Sequence, residues 1–468
     1  MIRKNINHLL RRVSPLKFNP STYKRCIRKI LFSVVTILPF SISAQAVKTE
    51  VKQTQQGWQF FRNGQPYYVK GAGGTVHMKT VVACGGNSVR TWGVDNARSI
   101  LDEAQKNGLT VMLGLWMQHE RHGFDYNNKE KVKSQFNHFK TIVSELKDHP
   151  ALLLWGVGNE VDLFYSNTNV WDAVNDVAQM IHETDPNHPT STVTAGLDSN
   201  EVVLIKKKAP HIDIYGVNTY GDIGKVKDNI RKFGWNGPYM ITEWGPDGHW
   251  ESPQTEWGAS IEQSSSEKAN VYRKRYKEFI SADSSFCVGS YVFLWGQKQE
   301  YTGTWYGMFS LDGIPTETID AIHSCWKGKD PESLSPSVDS ILINGKNKFS
   351  SLYLKSGDTF SAEVFFRGTN KNSIHWKILP ESSDLKAGGD QENAPEELRG
   401  LIRKAKGNKM EFVTPAEEGK YRLFVEIFAN GKIGYANIPF YVIPRTSNDP
   451  PLKWVKFKKQ EMQSFKEP

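Results

Sequence analysis

The chain has 468 residues, too many for one compact domain and enough for a barrel-sized domain with a smaller partner. Apolar residues make up 38%, aromatics 12%, and the 22 prolines follow no period, which excludes collagen, coiled coil and low-complexity disorder. A formal net charge of +9 would suggest a nucleic-acid or membrane surface if it were spread over the fold.

It is not spread. Arg3, Lys4, Arg11, Arg12, Lys17, Lys24, Arg25, Arg28 and Lys29 precede residue 47 with no acidic residue among them; without these nine, 50 basic residues face 50 acidic ones. The remainder is neutral and offers no basis for binding nucleic acid. The basic stretch runs into an apolar segment at 30–42 and then Ser43-Ala44-Gln45-Ala46, whose small residues suit a signal peptidase. Residues 1–46 are therefore expected to be a signal peptide, and the protein to be exported, periplasmic or secreted. The apolar run is shorter than the roughly 20 residues a bilayer needs, so no membrane span is expected after cleavage, a retained anchor being the competing reading. Cys84, Cys287 and Cys325 remain, an odd number that excludes a disulfide framework and leaves room for one bridge at most.

Residues 47–329 alternate short apolar runs with amphipathic stretches. A hairpin around Arg62-Asn63-Gly64-Gln65 comes first and is expected to plug a barrel bottom. Eight strands are then predicted at 68–72, 88–92, 110–115, 152–157, 190–194, 212–218, 239–243 and 289–295, with helices between and after them. Asn107-Gly108, Asp148-His149-Pro150 and Asp185-Pro186 punctuate the helix ends. Eight such units close most naturally into a (β/α)8 TIM barrel. Gly71-Ala72-Gly73-Gly74 lacks the glycine spacing of a dinucleotide turn, so no cofactor is expected. A linker at 330–337 leads to alternating strands at 341–342, 360–366, 374–378, 420–428 and 437–442. This second domain, 338–445, reads as an immunoglobulin-like β-sandwich. Without an aromatic row it is expected to be a structural partner. The Lys-rich tail at 446–468 has no inferred role.

Barrel chemistry sits at the C-terminal ends of the strands. The fourth predicted strand runs into Gly158-Asn159-Glu160, and the seventh into Thr242-Glu243-Trp244-Gly245. One glutamate after a strand is an ordinary loop carboxylate; two, on strands four and seven of eight, fit a pair that meets across the mouth. Cleaving a glycosidic bond with retention needs a proton donor and a carboxylate nucleophile about 5 Å apart. Glu160 and Glu243 are the catalytic candidates.

These motifs resemble the acid/base and nucleophile motifs of glycoside hydrolase clan A, whose members are retaining (β/α)8 enzymes. Asn87-Ser88-Val89-Arg90-Thr91 resembles the strand-two motif of family 2 of that clan, and Asn218-Thr219-Tyr220 its strand-six motif. The resemblance implies that Glu160 is the acid/base and Glu243 the nucleophile. It also implies that Asn159 binds the sugar 2-hydroxyl, that Arg90 and Tyr220 hold the nucleophile, and that Trp295 stacks on the sugar. A barrel followed by one sandwich is closer in order to families 5 and 72, the latter β-1,3-glucan transglycosylases.

Seven of the 14 tryptophans, Trp92, Trp116, Trp244, Trp250, Trp257, Trp295 and Trp305, fall near predicted strand tops, where about half are expected to line a sugar cleft and half to pack the core. Trp116 and His119 join the candidate substrate-binding residues Arg90, Asn159, Tyr220 and Trp295. His119 and His122 are three apart with no third ligand evident, so no metal is expected. The sequence therefore reads as a retaining glycoside hydrolase or transglycosylase of a β-linked polysaccharide, β-glucan favoured. Competing readings are a non-catalytic glycan-binding protein and an exo-acting β-glycosidase of family 2 type. Oligomeric state stays open.

Overall fold

Three short strands open the chain: β1 (Thr49–Thr54), β2 (Gly57–Arg62) and β3 (Gln65–Pro66). Eight parallel strands then close on themselves in chain order: β4 (Val69–Gly73), β5 (Ser88–Arg90), β6 (Thr110–Leu115), β7 (Leu152–Val157), β8 (Thr190–Ala195), β9 (Ile214–Asn218), β10 (Tyr239–Trp244) and β11 (Cys287–Val292). The structure, a computed structural model, describes residues 46–368 and 372–449. The expected signal peptide, up to residue 45, and the tail from residue 450 lie outside the described residues. Among the described residues no helix is long and apolar enough to cross a membrane.

Helices follow the barrel strands: α1 (Met78–Ala83), α2 (Ala97–Lys106), α3 (Lys129–Leu146), α4 (Asn169–Thr184), α5 (Ser199–Lys208), α6 (Ile223–Lys232), α7 (Ser265–Arg275) and α8 (Glu317–Lys327). Their limits have local causes. Gly108 ends α2 in a left-handed conformation that costs glycine little, φ 72°. Ser264 opens α7 with a capping box: its hydroxyl accepts from the Glu267 amide at 3.3 Å, and the Glu267 carboxylate accepts from the Ser264 amide at 2.6 Å. α7 runs on into a wider turn at Tyr276–Ile280.

Val69, Met112, Leu154, Val193, Ile214, Met240 and Tyr291 fill the barrel interior, while a larger apolar shell joins strands to helices. The N-terminal strands cover the bottom. Phe60 packs into the interior cluster, Thr49 Oγ1 donates to the Leu153 carbonyl at 2.5 Å, and the Trp58 amide donates to the Ser285 carbonyl at 2.7 Å. The expected hairpin is therefore the second half of a three-stranded sheet in which β1 pairs with β2.

After the barrel come β12 (Ser337–Ile343), β13 (Leu352–Lys355), β14 (Thr359–Arg367), β15 (Ser373–Pro380), β16 (Ile402–Lys406), β17 (Lys409–Val413), β18 (Gly419–Ala429) and β19 (Lys432–Ile443). They form two four-stranded sheets, β12-β14-β17-β16 and β13-β19-β18-β15, over one apolar core. This is the immunoglobulin-like sandwich, with β13, β16 and β17 added to the expected strands. Cys84, Cys287 and Cys325 are all free thiols.

The sandwich docks on the barrel through buried charge. The side chains of Lys268 in α7 and Glu262 just before it are at most 2% exposed and meet at 2.5 Å. Glu262 also accepts from Thr302 (2.7 Å), Thr304 (2.8 Å) and Asn437 of β19 (2.6 Å). Burial alone would raise the Glu262 carboxyl, but Lys268 and Arg422 outweigh it and hold it below its ordinary value. Removing one member of such a pair leaves an uncompensated buried charge. Lys268→Ala is expected to destabilise the protein by about 3–5 kcal/mol in denaturant unfolding, whereas Lys268→Met with Glu262→Gln recovers much of the loss.

Candidate active site

Strand periodicity places the first residues of the site. Ser88 and Arg90 of β5 point into the barrel, and Trp92, two residues on, projects from the same side at the mouth. Arg90 is 2% exposed. Its Nη1 donates to the Thr242 carbonyl (2.6 Å), to Glu243 Oε1 (3.1 Å) and to Asn218 Oδ1 (3.3 Å), and its Nη2 donates to Asn159 Oδ1 (2.6 Å). One guanidinium thus joins the ends of β5, β7, β9 and β10.

Glu243 reaches the mouth through a local irregularity. Met240 packs in the barrel interior and Tyr239, Ile241 and Trp244 in the outer shell, and the pairing of β10 with both neighbours shifts register between Ile241 and Trp244. A bulge of this kind re-aims a side chain. Three side chains donate to the Glu243 carboxylate: Arg90 and Trp92 to Oε1, the latter at 2.6 Å, and the Tyr220 hydroxyl to Oε2 at 3.1 Å. Burial, reinforced by the charge of Glu243, keeps the Tyr220 phenol far above its ordinary range and therefore a donor.

Glu160 follows β7 on a turn in which Gly158 (φ 79°) and Glu160 itself (φ 50°) are left-handed. A non-glycine residue held there is uncommon and is typical of functional sites. Its Oε1 accepts from Asn218 Nδ2 at 2.8 Å. Desolvation first, then the charge of Glu243, pushes the Glu160 carboxyl up to about 8, against the pull of the Asn218 hydrogen bond. The two carboxyl groups have opposite surroundings: one is met by a cation and two neutral donors, the other by a single amide in a desolvated wall.

Asn159 sits beneath this pair, its Oδ1 shared by Arg90 and Asn218. His119 is 1% exposed and does not face a cleft; its Nε2 donates to the Asn159 carbonyl at 2.6 Å, and burial lowers its pKa to about 4. The expected sugar-binding histidine is thus a neutral brace for the turn carrying Glu160. Trp116 is half-buried and meets the His119 ring edge-on at 4.6 Å. Trp295 corrects its expectation outright. It is 0% exposed, stacked on Trp326 of α8 at 6.0 Å and edge-on to Phe309, so neither face is open to a sugar.

The other tryptophans divide similarly. Trp244 packs on Tyr272 and Tyr276, Trp305 is buried, and Trp257 lies against Tyr353 and Tyr441 of the sandwich. Trp250, 57% exposed, stands over Tyr220 edge-on at 5.8 Å. Asn218 and Thr242 were not singled out as site residues, and Trp92 only as one of the seven strand-top tryptophans. The available signals were the end of the sixth strand for Asn218 and the two-residue spacing from Arg90 for Trp92. His122 donates to Asp390 at 2.9 Å, and among the described residues no cluster of His, Cys, Asp or Glu is arranged to hold a metal.

A cavity of ≈ 470 Å³ opens beside Glu160, Asn218 and Tyr220, walled by Trp250 and Glu300 and by Phe164, 71% exposed at the rim. Exposed aromatic rings beside convergent polar groups suit a ligand with apolar faces and hydroxyl edges.

The raised pKa of Glu160 has a stability consequence. Its protonated form is favoured by folding, so that contribution is complete below the ordinary carboxylate value of 4.5 and is lost as pH rises through about 8. Glu160→Gln is expected to gain about 1 kcal/mol or more over the parent at pH 9 but not at pH 4, measured by thermal unfolding at each pH.

No family model matches the chain. Among solved structures, a β-glucuronidase of Bacteroides uniformis is 13% identical with a TM-score of 0.47, covering 85% of this chain and 48% of that one. A putative β-galactosidase from Bacteroides fragilis is 15% identical, TM-score 0.46, covering 85% and 58%. A GH2 β-galacturonidase from Eisenbergiella tayi is 15% identical, TM-score 0.47, covering 61% and 54%. The chain spans about half the length of these structures.

Proposed function

We propose that the protein is a retaining β-glycosidase that works by double displacement, with Glu243 as nucleophile and Glu160 as acid/base. The observation that carries this reading is the contrast between the surroundings of two linked carboxyls. Asn218 donates to Glu160 while its carbonyl oxygen accepts from the same Arg90 nitrogen that holds Glu243. A carboxyl kept protonated by burial beside a second one that accepts from a cation and two neutral donors marks an acid and its partner.

In the first step a Glu243 oxygen attacks the anomeric carbon, the bond to the leaving oxygen breaks, and the proton of Glu160 passes to that oxygen. The glycosyl ester formed on Glu243 carries no charge, so the repulsion that helped to protonate Glu160 disappears. Glu160, now a carboxylate, takes a proton from a water or an acceptor hydroxyl, whose oxygen attacks the anomeric carbon and releases Glu243. Asn159 has its Oδ1 committed to Arg90 and Asn218, which leaves its NH2 group to donate to the sugar. Trp250 and Phe164 supply stacking faces at the rim in the place first given to Trp295. β-Glucan or its oligosaccharides are the favoured substrate, and an exported protein would meet them outside the cytoplasm.

Glu243→Ala is expected to reduce kcat by at least about 10⁴-fold on aryl β-glycosides, with azide restoring turnover and giving the inverted glycosyl azide. Trapping of the native protein with a 2-deoxy-2-fluoro glycoside should add one sugar mass to the peptide bearing Glu243. A mass shift elsewhere, or none with any β-glycoside, would remove the reading. For the native enzyme kcat/KM should fall as pH rises past about 8, where Glu160 loses its proton. Glu160→Ala should abolish that limb and spare substrates with good leaving groups in the first step.

A further inference from the structure

The connection from β15 to β16, residues 381–401, contains no helix or strand and is long for a loop inside a compact sandwich. It is nonetheless heavily held. At its root Glu381 accepts from Arg422 Nε at 2.9 Å and Nη2 at 3.2 Å, and Arg422 is itself buried. Its tip is closed internally: Asp384 Oδ2 accepts from the Asn393 amide at 2.9 Å, and Glu392 Oε1 accepts from the Lys386 amide at 3.0 Å.

The tip is fastened to the barrel at two places. Asp390 accepts from Arg121 Nη1 at 2.8 Å and from His122 Nε2 at 2.9 Å, both in the loop after β6. Glu392 Oε2 accepts from the Tyr301 amide at 2.7 Å, and the Gly389 carbonyl accepts from Lys298 Nζ, both in the loop after β11. In the barrel β6 and β11 are separated by β4 and β5 on one side and by β7 to β10 on the other. The segment therefore spans the mouth between non-neighbouring strands. Close approach is built in at Gly388, which is left-handed at φ 63°; a Cβ there would lie 2.6 Å from Leu163 Cδ2 and 2.9 Å from Arg121 Cζ. Lys386, Ala387 and Gly388 form part of the cavity wall facing Glu160 and Tyr220.

We infer that this segment is a strap, supplied by the C-terminal domain, that turns the barrel mouth from an open cleft into a pocket and so confines the enzyme to chain ends. The inference rests on the glycosidase reading above. A polymer bound along an open cleft passes through it on both sides. A strap fastened after β6 and after β11 bars that path, and the ≈ 470 Å³ left beside Glu160 is on the scale of a small-ligand site. Lys386 is its specificity-determining side chain, lining the wall where the bound sugar would sit.

The test compares the native protein with three variants: residues 385–391 replaced by Ser-Gly-Ser, Asp390→Ala, and Lys386→Ala. Thermal unfolding checks that each folds, and Asp390→Ala keeps the test alive if the replacement does not. Substrates are a panel of p-nitrophenyl β-glycosides and a soluble β-glucan followed by reducing ends, viscosity and product size. The native protein is expected to release short saccharides with little loss of viscosity. The replacement and Asp390→Ala should show several-fold more viscosity loss for each bond cut, and Lys386→Ala should raise KM on the aryl glycosides roughly tenfold with kcat nearly unchanged. Rapid viscosity loss with the native protein overturns the strap, as do unchanged product sizes and KM in the folded variants. Native protein that releases no sugar and traps no glycosyl-enzyme overturns the glycosidase reading and the strap's role together, an outcome told apart from the others by the absence of turnover.

Discussion

A guanidinium buried to 2% exposure at the centre of the barrel mouth is the constraint on which the site is built. A cation in that position is tolerated only with an opposite charge and hydrogen-bond acceptors close by. Arg90 finds both through its two terminal nitrogens, which bond Asn159, Asn218, Thr242 and Glu243, with Cζ 5.3 Å from the Trp92 ring centroid; only Nε is left without a partner among the described residues. Its partners come from the ends of three other strands, so satisfying it fixes those ends against each other and against β5. The geometry of Glu243 and of the turn bearing Glu160 follows from that single demand.

Asn218 converts this scaffold into a difference between the two carboxyls. An amide offers one acceptor and one donor group on opposite sides. Its acceptor is taken by Arg90 and by Thr242 Oγ1 at 2.8 Å, which points its NH2 group at Asn159 and Glu160. Glu160 therefore gains one neutral donor and no direct cation, while desolvation and the charge of Glu243 favour its protonated form. Thr242 is hidden in the middle of a strand, yet it decides which way the amide faces.

The barrel was largely legible because its signals are local: apolar runs, helix stops and the fixed period of a strand. β6 and β7 lie where the sequence places them, and β11 is displaced toward the N-terminus because Cys287 pairs with Tyr239 ahead of the aromatic run. Glu160 and Glu243 could be singled out because each ends a strand. Trp295 could not be assigned its neighbours from sequence, since the partner that covers it, Trp326, lies a whole loop and helix later. The burial of His119 depends on the turn after β7, and the re-aiming of Glu243 depends on a register shift with two strands, neither of which any local pattern encodes. In the sandwich the missed strands β16 and β17 are short and lysine-bearing, so their alternation is weak.

The two domains share a hydrogen-bonded boundary that reaches the pocket. Glu262 binds Thr302 and Thr304, and Tyr301 between Glu300 and Thr302 binds Glu392 of the strap, so one short loop after β11 is gripped by the docking cluster and by the strap together. Arg422 belongs to both sets, bonding Asn437 beside Glu262 at 2.7 Å and Glu381 at the strap's root. Buried polar networks of this kind hold one arrangement because each member lost leaves another unsatisfied. A sandwich that served as an independent sugar-binding module would gain by flexible attachment. This one is held to the barrel by buried hydrogen bonds, Asn437 donating to Glu262 at 2.6 Å and Arg422 to the Ser260 carbonyl at 2.8 Å, and its longest loop reaches the wall beside Glu160. The pocket is therefore a property of both domains, and neither carries it alone.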